Sequence, residues 1–95
     1  MSAEVDVERT EGAAGGYEFQ VTVREGKSES RHRVTLKSAT YDSLAAGKAT
    51  PEELIRAAFA FLLEREPKES ILARFDVTVI SRYFPEFEKS IRSYF

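Results

Sequence analysis

A chain of 95 residues with a formal net charge of −2 and 42% hydrophobic residues is the size of one small domain. It has no cysteine, which excludes a disulfide, a thiolate nucleophile and a thiolate zinc site. Its longest strongly apolar stretch, residues 57–63, is far shorter than the ~20 residues that cross a bilayer, and no basic segment precedes an apolar run near the start. We therefore expect a cytoplasmic protein that makes no membrane contact.

The start of the chain differs in composition from the rest. Val5 and Val7 alternate with acidic residues and allow a short edge strand, but the glycine- and alanine-rich stretch 12–16 interrupts any regular element. Because chain ends fray unless they are docked, we predict a flexible leader over residues 1–16. Residues 17–95 are then expected to form a single domain.

Two alternating segments follow. Apolar and polar residues alternate over residues 17–24 and again over residues 31–37, which predicts two strands that each bury one face. A polar turn containing Gly26 separates them, so the pair is predicted to form an antiparallel hairpin. The residues expected to face the core are Tyr17, Phe19, Val21, Val23, His32, Val34 and Leu36.

The middle of the chain carries helix signals. Residues 40–46 allow one or two helical turns closed by Gly47. Thr50 to Glu53 then combine a capping hydroxyl, a proline at the first helical position and a glutamate three residues after the cap. This start predicts a helix to about Arg65, with an apolar face broad enough to form the centre of the core, and Pro67 ends it.

A third strand is predicted over residues 75–80, because the β-branched run from Val77 to Ile80 favours extended structure. If the strand continues to Phe84, both of its faces are apolar. We therefore expect a terminal helix, opening at Pro85, to cover it, either folded back or contributed by a second chain. The predicted fold is α+β with two layers, in the order ββααβα.

The terminal segment is rich in aromatic residues, and a domain this small has little sheet on which to bury them. We predict that this segment forms an interface with a second chain, since aromatic residues and arginine dominate binding hot spots. The predicted interface residues are Arg82, Tyr83, Phe84, Phe87, Ile91, Tyr94 and Phe95. For Arg82 the alternative is a structural corner, paired with Asp76 or with a helix carbonyl.

The hairpin presents a basic face on its outer side. Arg31, Arg33 and Lys37 share one face of the second strand, and Arg24 lies opposite them. Such a face can follow the phosphates of a nucleic acid, but the aromatic residues that would stack on bases point to the other side. An ordinary solvated face, or an edge that resists aggregation, explains the same pattern.

The chain has one histidine, His32, and a general base at neutral pH is most often a histidine. Its inward register at the sheet margin has the ordinary explanation of a stacked or hydrogen-bonded side chain. No spacing typical of a metal site or of a phosphate-binding loop is present. We therefore predict no catalytic, cofactor-binding or metal-binding residues.

Three segments carry a resemblance. HRVTL at residues 32–36, PEELIRAAFAFLLEREPKESIL at residues 51–72 and FDVTVISRYFPEFE at residues 75–88 resemble a group of short, uncharacterised bacterial proteins. That group has no established activity, so the resemblance implies a bacterial, cytoplasmic setting and transfers no catalytic residue.

Together these features predict a non-enzymatic interaction domain that forms a homodimer or binds another protein. The alternative is a weak RNA- or DNA-binding accessory protein that uses the basic hairpin face. An enzyme would require a deep pocket beside His32.

Overall fold

The computed structural model describes residues 3–10 and 15–95. The four strands in these ranges lie side by side in chain order. The first and second strands pair antiparallel, as do the second and third, whereas the third and fourth are parallel. The strands are β1 (Glu4–Thr10), β2 (Gly16–Glu25), β3 (Ser28–Lys37) and β4 (Arg74–Asp76). The helices are α1 (Ser38–Ala45), α2 (Pro51–Leu63), α3 (Thr78–Tyr83) and α4 (Phe87–Ser90), with 3-10 helices at Lys68–Ser70 and Ile91–Tyr94. The fold is α+β, as predicted.

The β2–β3 hairpin confirms the prediction from alternation. Phe19 pairs with Val34 and Val21 pairs with His32, so the predicted inward residues share one face. Gly26 in the connecting turn has φ +59°, a left-handed conformation that glycine adopts without steric cost. The helices cover this inward face, and the opposite face of the sheet carries charged and polar side chains.

Helix α2 begins where the sequence predicts. The Thr50 hydroxyl accepts a hydrogen bond from the Glu53 amide at 3.1 Å, and the Glu53 carboxylate accepts one from the Thr50 amide at 2.8 Å. Phe59 and Phe61 on this helix are fully buried, which confirms that α2 forms the centre of the core. The helix ends at Leu63, slightly earlier than expected.

Residues 4–10 are a strand of the domain and not a leader outside it. They form β1 at the sheet edge, which is the alternative that the spacing of Val5 and Val7 allowed. Arg9 fastens this strand to the start of α2 through both oxygens of Glu52, at 2.7 and 2.8 Å. Gly16, the last residue of the predicted leader, begins β2, and residues 1–2 and 11–14 lie outside the described residues.

The predicted third strand is wrong beyond Asp76. Strand β4 has three residues, and the β-branched run from Val77 to Ile80 belongs to the start of α3. The Asp76 carboxylate accepts hydrogen bonds from the Thr78 amide at 3.1 Å and the Thr78 hydroxyl at 2.6 Å. These bonds satisfy a helix-start donor, and helical spacing buries Val77 and Ile80 on one side. Local capping and packing therefore outweigh the extended preference of this run.

The terminal segment covers a helix and not a strand. Phe87, on α4, lies 5.1 Å from Phe61 of α2 between ring centroids, and Tyr94 lies 6.0 Å from the same ring. The Tyr94 hydroxyl donates to Glu64, and Arg65 lies over the Phe61 ring at 3.6 Å. The segment thus folds back onto its own chain, which the sequence allowed, but onto α2. Within the described ranges, no helix has the length and apolar character to cross a membrane.

Candidate binding surface

An apolar groove opens on the surface between the end of α2, the turn that follows it, and α3. Its volume is about 190 Å³. Leu72 and Tyr83, which line it, are 47% and 67% exposed, while the other large apolar side chains along it are mostly covered. The groove is lined by Leu62, Glu66, Ser70, Ile71, Leu72, Phe75, Val79, Ile80, Tyr83 and Phe84. We refer to it as the α3 groove.

Strand β3 holds one wall of the α3 groove in place. The Arg33 amide donates to the Ala73 carbonyl at 2.7 Å, and Nδ1 of His32 lies 2.8 Å from the Leu72 carbonyl oxygen. These two bonds fix the consecutive carbonyl groups of Leu72 and Ala73 directly before β4. The exposed leucine therefore belongs to a segment with a defined backbone, which is the kind of pre-formed surface that binds a partner without a large ordering cost.

A buried lysine fixes the turn that precedes the Leu72 segment of the groove. Lys68 is only 3% exposed, and its Nζ contacts Glu69 and lies 3.5 Å from Glu25 at the end of β2. Hydrogen bonding to Glu69, and then to Glu25, raises the pKa of Lys68 above its usual value. The ammonium thus ties the turn to the hairpin, so both ends of the groove wall are attached to the sheet.

Glu66 places one carboxyl group along this groove, whose other lining residues are apolar or aromatic apart from Ser70. Burial raises the pKa of Glu66 above its usual value, because a partly desolvated site disfavours the charged form. A carboxyl in this position gains a hydrogen bond when a donor enters the groove. The groove can therefore bind an apolar body that carries a polar hydrogen-bonding tip, as a tyrosine side chain does.

The predicted interface residues divide into three groups. Tyr83 and Phe84 line the α3 groove, and Arg82 beside them is exposed. Phe87 and Ile91 are fully buried within their own chain, so they are core residues, and their assignment to an interface was wrong. The last two residues form the third group: Tyr94 is half-buried against α2, and Phe95 is 37% exposed.

Arg82 takes neither of the structural roles considered for it. Among the described residues, the Asp76 carboxylate is instead bonded to Thr35 at 2.7 Å and to Thr78. In the same ranges Arg82 makes no side-chain hydrogen bond, and it stays at the exposed rim next to Tyr83.

Acidic neighbours largely neutralise the predicted basic face. Arg24 contacts Asp6 and lies 3.1 Å from Glu29, and Arg31 lies 3.2 Å from the same glutamate. Arg33 is paired with a glutamate of β2, Glu18, at 3.4 Å. Lys37, the fourth member, is exposed at the end of β3. Because three of the four side chains already face carboxylates on the same sheet, this face offers little net positive charge to phosphates.

His32 occupies a structural position. Its imidazole is 3% exposed, lies 5.4 Å from the Phe59 ring, and contacts Ser30 Oγ and the Leu72 carbonyl at 2.8 Å each. Both ring nitrogens therefore have partners, and neither is directed at a pocket. Over residues 3–10 and 15–95, the His, Asp and Glu side chains form no cluster of three that could hold a metal ion.

Leu72 and Glu66 were not among the residues expected at a binding surface. Neither belongs to a periodic pattern, since both fall in the irregular connection between α2 and β4. The available signal is weak: two adjacent large apolar residues, Ile71 and Leu72, follow the polar residues 68–70, and the sequence does not indicate which of the two is exposed. In comparisons with known proteins, no family model, curated protein or solved structure matches this chain.

Proposed function

We propose that this protein is a non-enzymatic interaction domain that binds a second copy of itself through the α3 groove. The observation that carries the proposal is the pair of exposed apolar residues, Leu72 and Tyr83, that line a groove with room for one aromatic side chain. Exposed apolar side chains grouped around a concave surface are typical of protein-binding sites.

A second copy is the preferred partner because the chain carries both halves of the contact. Tyr83 is an exposed aromatic side chain at the rim of the groove that would receive it. In a two-fold dimer the same patch meets itself, so each Tyr83 enters the groove of the other copy. Its hydroxyl would then donate to Glu66, the carboxyl group along that groove. Self-association would also add buried apolar area to a domain with a small core.

Sedimentation equilibrium of the full chain tests this proposal. We expect a monomer–dimer equilibrium, and Tyr83→Ala is expected to weaken the dimer by at least about thirtyfold, the size typical of a lost hot-spot aromatic residue. Tyr83→Phe keeps the ring and removes the hydroxyl, so a smaller loss is expected if Glu66 accepts its hydrogen bond.

Phe95→Ala is the matched control, because Phe95 is also an exposed aromatic residue but does not line the groove. Its dimer constant should equal that of the unsubstituted chain. A full-length protein that stays monomeric at millimolar concentration, or a dimer that survives Tyr83→Ala unchanged, would overturn the proposal.

A further inference from the structure

A second surface, independent of the α3 groove, lies at the opposite edge of the sheet. Strand β1 is the edge strand there, paired with β2 on one side only among the described residues. An edge strand presents backbone N–H and C=O groups that pair with an added strand. With seven residues, β1 is more than twice as long as β4, the other edge.

The helix layer leaves space for such an addition. A second groove, of about 450 Å³, runs between the start of β1 and the end of α2. Its apolar lining includes Ala60 and the half-buried side chains of Val5 and Leu63. Its charged lining is Glu25, Arg56 and Glu64. A strand added beside β1 would direct alternate side chains into this groove and cover both half-buried residues.

The acidic side chains on the outer face of β1 favour an added strand with basic side chains. Glu4, Asp6 and Glu8 alternate along this face and are all exposed; Asp6 contacts Arg24 of β2, which leaves Glu4 and Glu8 as the carboxylates that an added strand would meet. Side chains directly opposite one another on neighbouring strands lie about 5 Å apart, so opposite charges there attract and like charges repel. A strand with lysine or arginine at every second position matches this row.

The same row disfavours pairing with a second copy. In a two-fold antiparallel pairing centred on Asp6, that residue faces its own copy, and Glu4 faces Glu8 of the other chain. Moving the centre to Val7 places Asp6 opposite Glu8. Each of these registers brings carboxylates together. Charge repulsion therefore disfavours pairing of β1 with β1 of a second copy and favours a partner of different charge.

We propose that the β1 edge binds an extended segment of another protein, with basic residues at alternate positions and apolar residues between them. The segment would add to the sheet as a fifth strand. Its basic side chains would face Glu4 and Glu8, and its apolar side chains would enter the groove over Val5 and Leu63. This interaction uses a different surface from the proposed dimer contact, so both can occur on one molecule.

A capped synthetic hexapeptide of alternating lysine and valine, titrated into the full-length protein, tests the inference. NMR is expected to show amide shifts and slowed hydrogen exchange along β1, together with shifts at Ala60 and Leu63. The same peptide with glutamate in place of lysine should bind at least about tenfold more weakly, since each opposite pair becomes a like-charge pair. A peptide with proline in place of the central valine should also lose binding, because proline cannot donate to the sheet.

The double variant Glu4→Lys with Glu8→Lys separates charge recognition from loss of folding. It is expected to bind the lysine peptide about tenfold more weakly and to gain affinity for the glutamate peptide. Asp42→Lys with Glu88→Lys makes the same change in net charge away from β1 and should leave both affinities close to those of the unsubstituted chain.

Three results would overturn the inference. The first is the absence of shifts at millimolar lysine peptide, and the second is equal binding of the lysine and glutamate peptides. The third is a set of shifts confined to Leu72 and Tyr83, which would assign the peptide to the α3 groove. Failure of the dimer proposal would leave the β1 shifts unchanged, so the two proposals are tested separately.

Discussion

The imidazole of His32 is joined to the backbone carbonyl of Leu72 by a 2.8 Å contact at Nδ1. Because a carbonyl oxygen only accepts, Nδ1 must carry a hydrogen and donate it. The other ring nitrogen lies 2.8 Å from Ser30 Oγ, so in the neutral ring it accepts from that hydroxyl. The single histidine of this chain therefore connects the buried face of the sheet to the rim of the α3 groove, and this explains its inward register.

Replacing His32 should destabilise the domain and increase local opening at the rim of the α3 groove. His32→Ala removes a buried ring and leaves the Leu72 carbonyl without its donor, so we expect the free energy of unfolding to fall by about 2–4 kcal/mol. Urea denaturation measures the loss, and hydrogen exchange should show faster opening around Leu72. His32→Asn retains a side-chain N–H donor near the position of Nδ1, so its free energy of unfolding should fall by less. Equal losses in the two variants would contradict a role for the donor.

Asp76 should make the stability of the domain depend on acid pH. Burial by itself would raise the pKa of Asp76, but hydrogen bonds from Thr78 and Thr35, with nearby Lys37, outweigh it and lower the pKa below its usual value. The folded state thus binds this proton more weakly than the unfolded chain. Its stabilising contribution is present above the unfolded pKa and is lost as the pH falls through the folded pKa.

Asp76→Asn is expected to reduce the free energy of unfolding at pH 7 by about 1–2 kcal/mol, because the bonds to Thr35 and Thr78 lose their charged acceptor. The difference from the unsubstituted chain should narrow as the pH falls below about 3.9, the ordinary value for an unfolded aspartate. Denaturation curves across this range provide the measurement. Asp42→Asn, on an exposed side chain of α1, is the control and should change stability by less than about 0.5 kcal/mol. A constant difference at all pH values would contradict the role of the Asp76 charge.

The different outcomes for the hairpin and for the third strand have a physical reason. In residues 17–23 and again in residues 32–36 the inward positions alternate with polar ones, and the turn between them contains Gly26, so local preference and burial favour the same structure. In the run from Val77 to Ile80 they conflict. Extended preference favours a strand, whereas the carboxylate of Asp76 and the spacing of the buried side chains favour a helix. The aspartate two residues before Thr78 is the signal in the sequence that indicates this start.

The α3 groove could be predicted only in part. Tyr83 and Phe84 were expected at an interface because aromatic residues are concentrated near them. Leu72 reaches the groove through tertiary contacts, since its position depends on the bond from His32, which is 40 residues away in sequence. A contact between residues so distant along the chain leaves no local pattern in the sequence. For the same reason the contact between Arg9 and Glu52, which joins β1 to α2, follows from the fold alone.

The start of α2 provides a prediction about local structure. Thr50→Ala removes the hydroxyl that accepts the Glu53 amide, and we expect the free energy of unfolding to fall by about 1 kcal/mol. Thermal unfolding followed by circular dichroism measures the change. Thr50→Ser retains the hydroxyl and should stay within about 0.5 kcal/mol of the unsubstituted chain. If serine and alanine were equally destabilising, the capping bond would not be the cause.

Substitution by alanine should destabilise the monomer strongly at one aromatic residue of the terminal segment and hardly at all at another. Phe87 is fully buried against Phe61, so Phe87→Ala creates a cavity and should lower the free energy of unfolding by about 3–5 kcal/mol. Tyr83 is 67% exposed, and Tyr83→Ala should change the stability of the monomer by less than about 0.5 kcal/mol. Denaturation at a protein concentration below the dissociation constant of the dimer measures the stability of the monomer alone. A large loss for Tyr83→Ala under those conditions would mean that this side chain supports the fold, and it would remove the reason for assigning it to an interface.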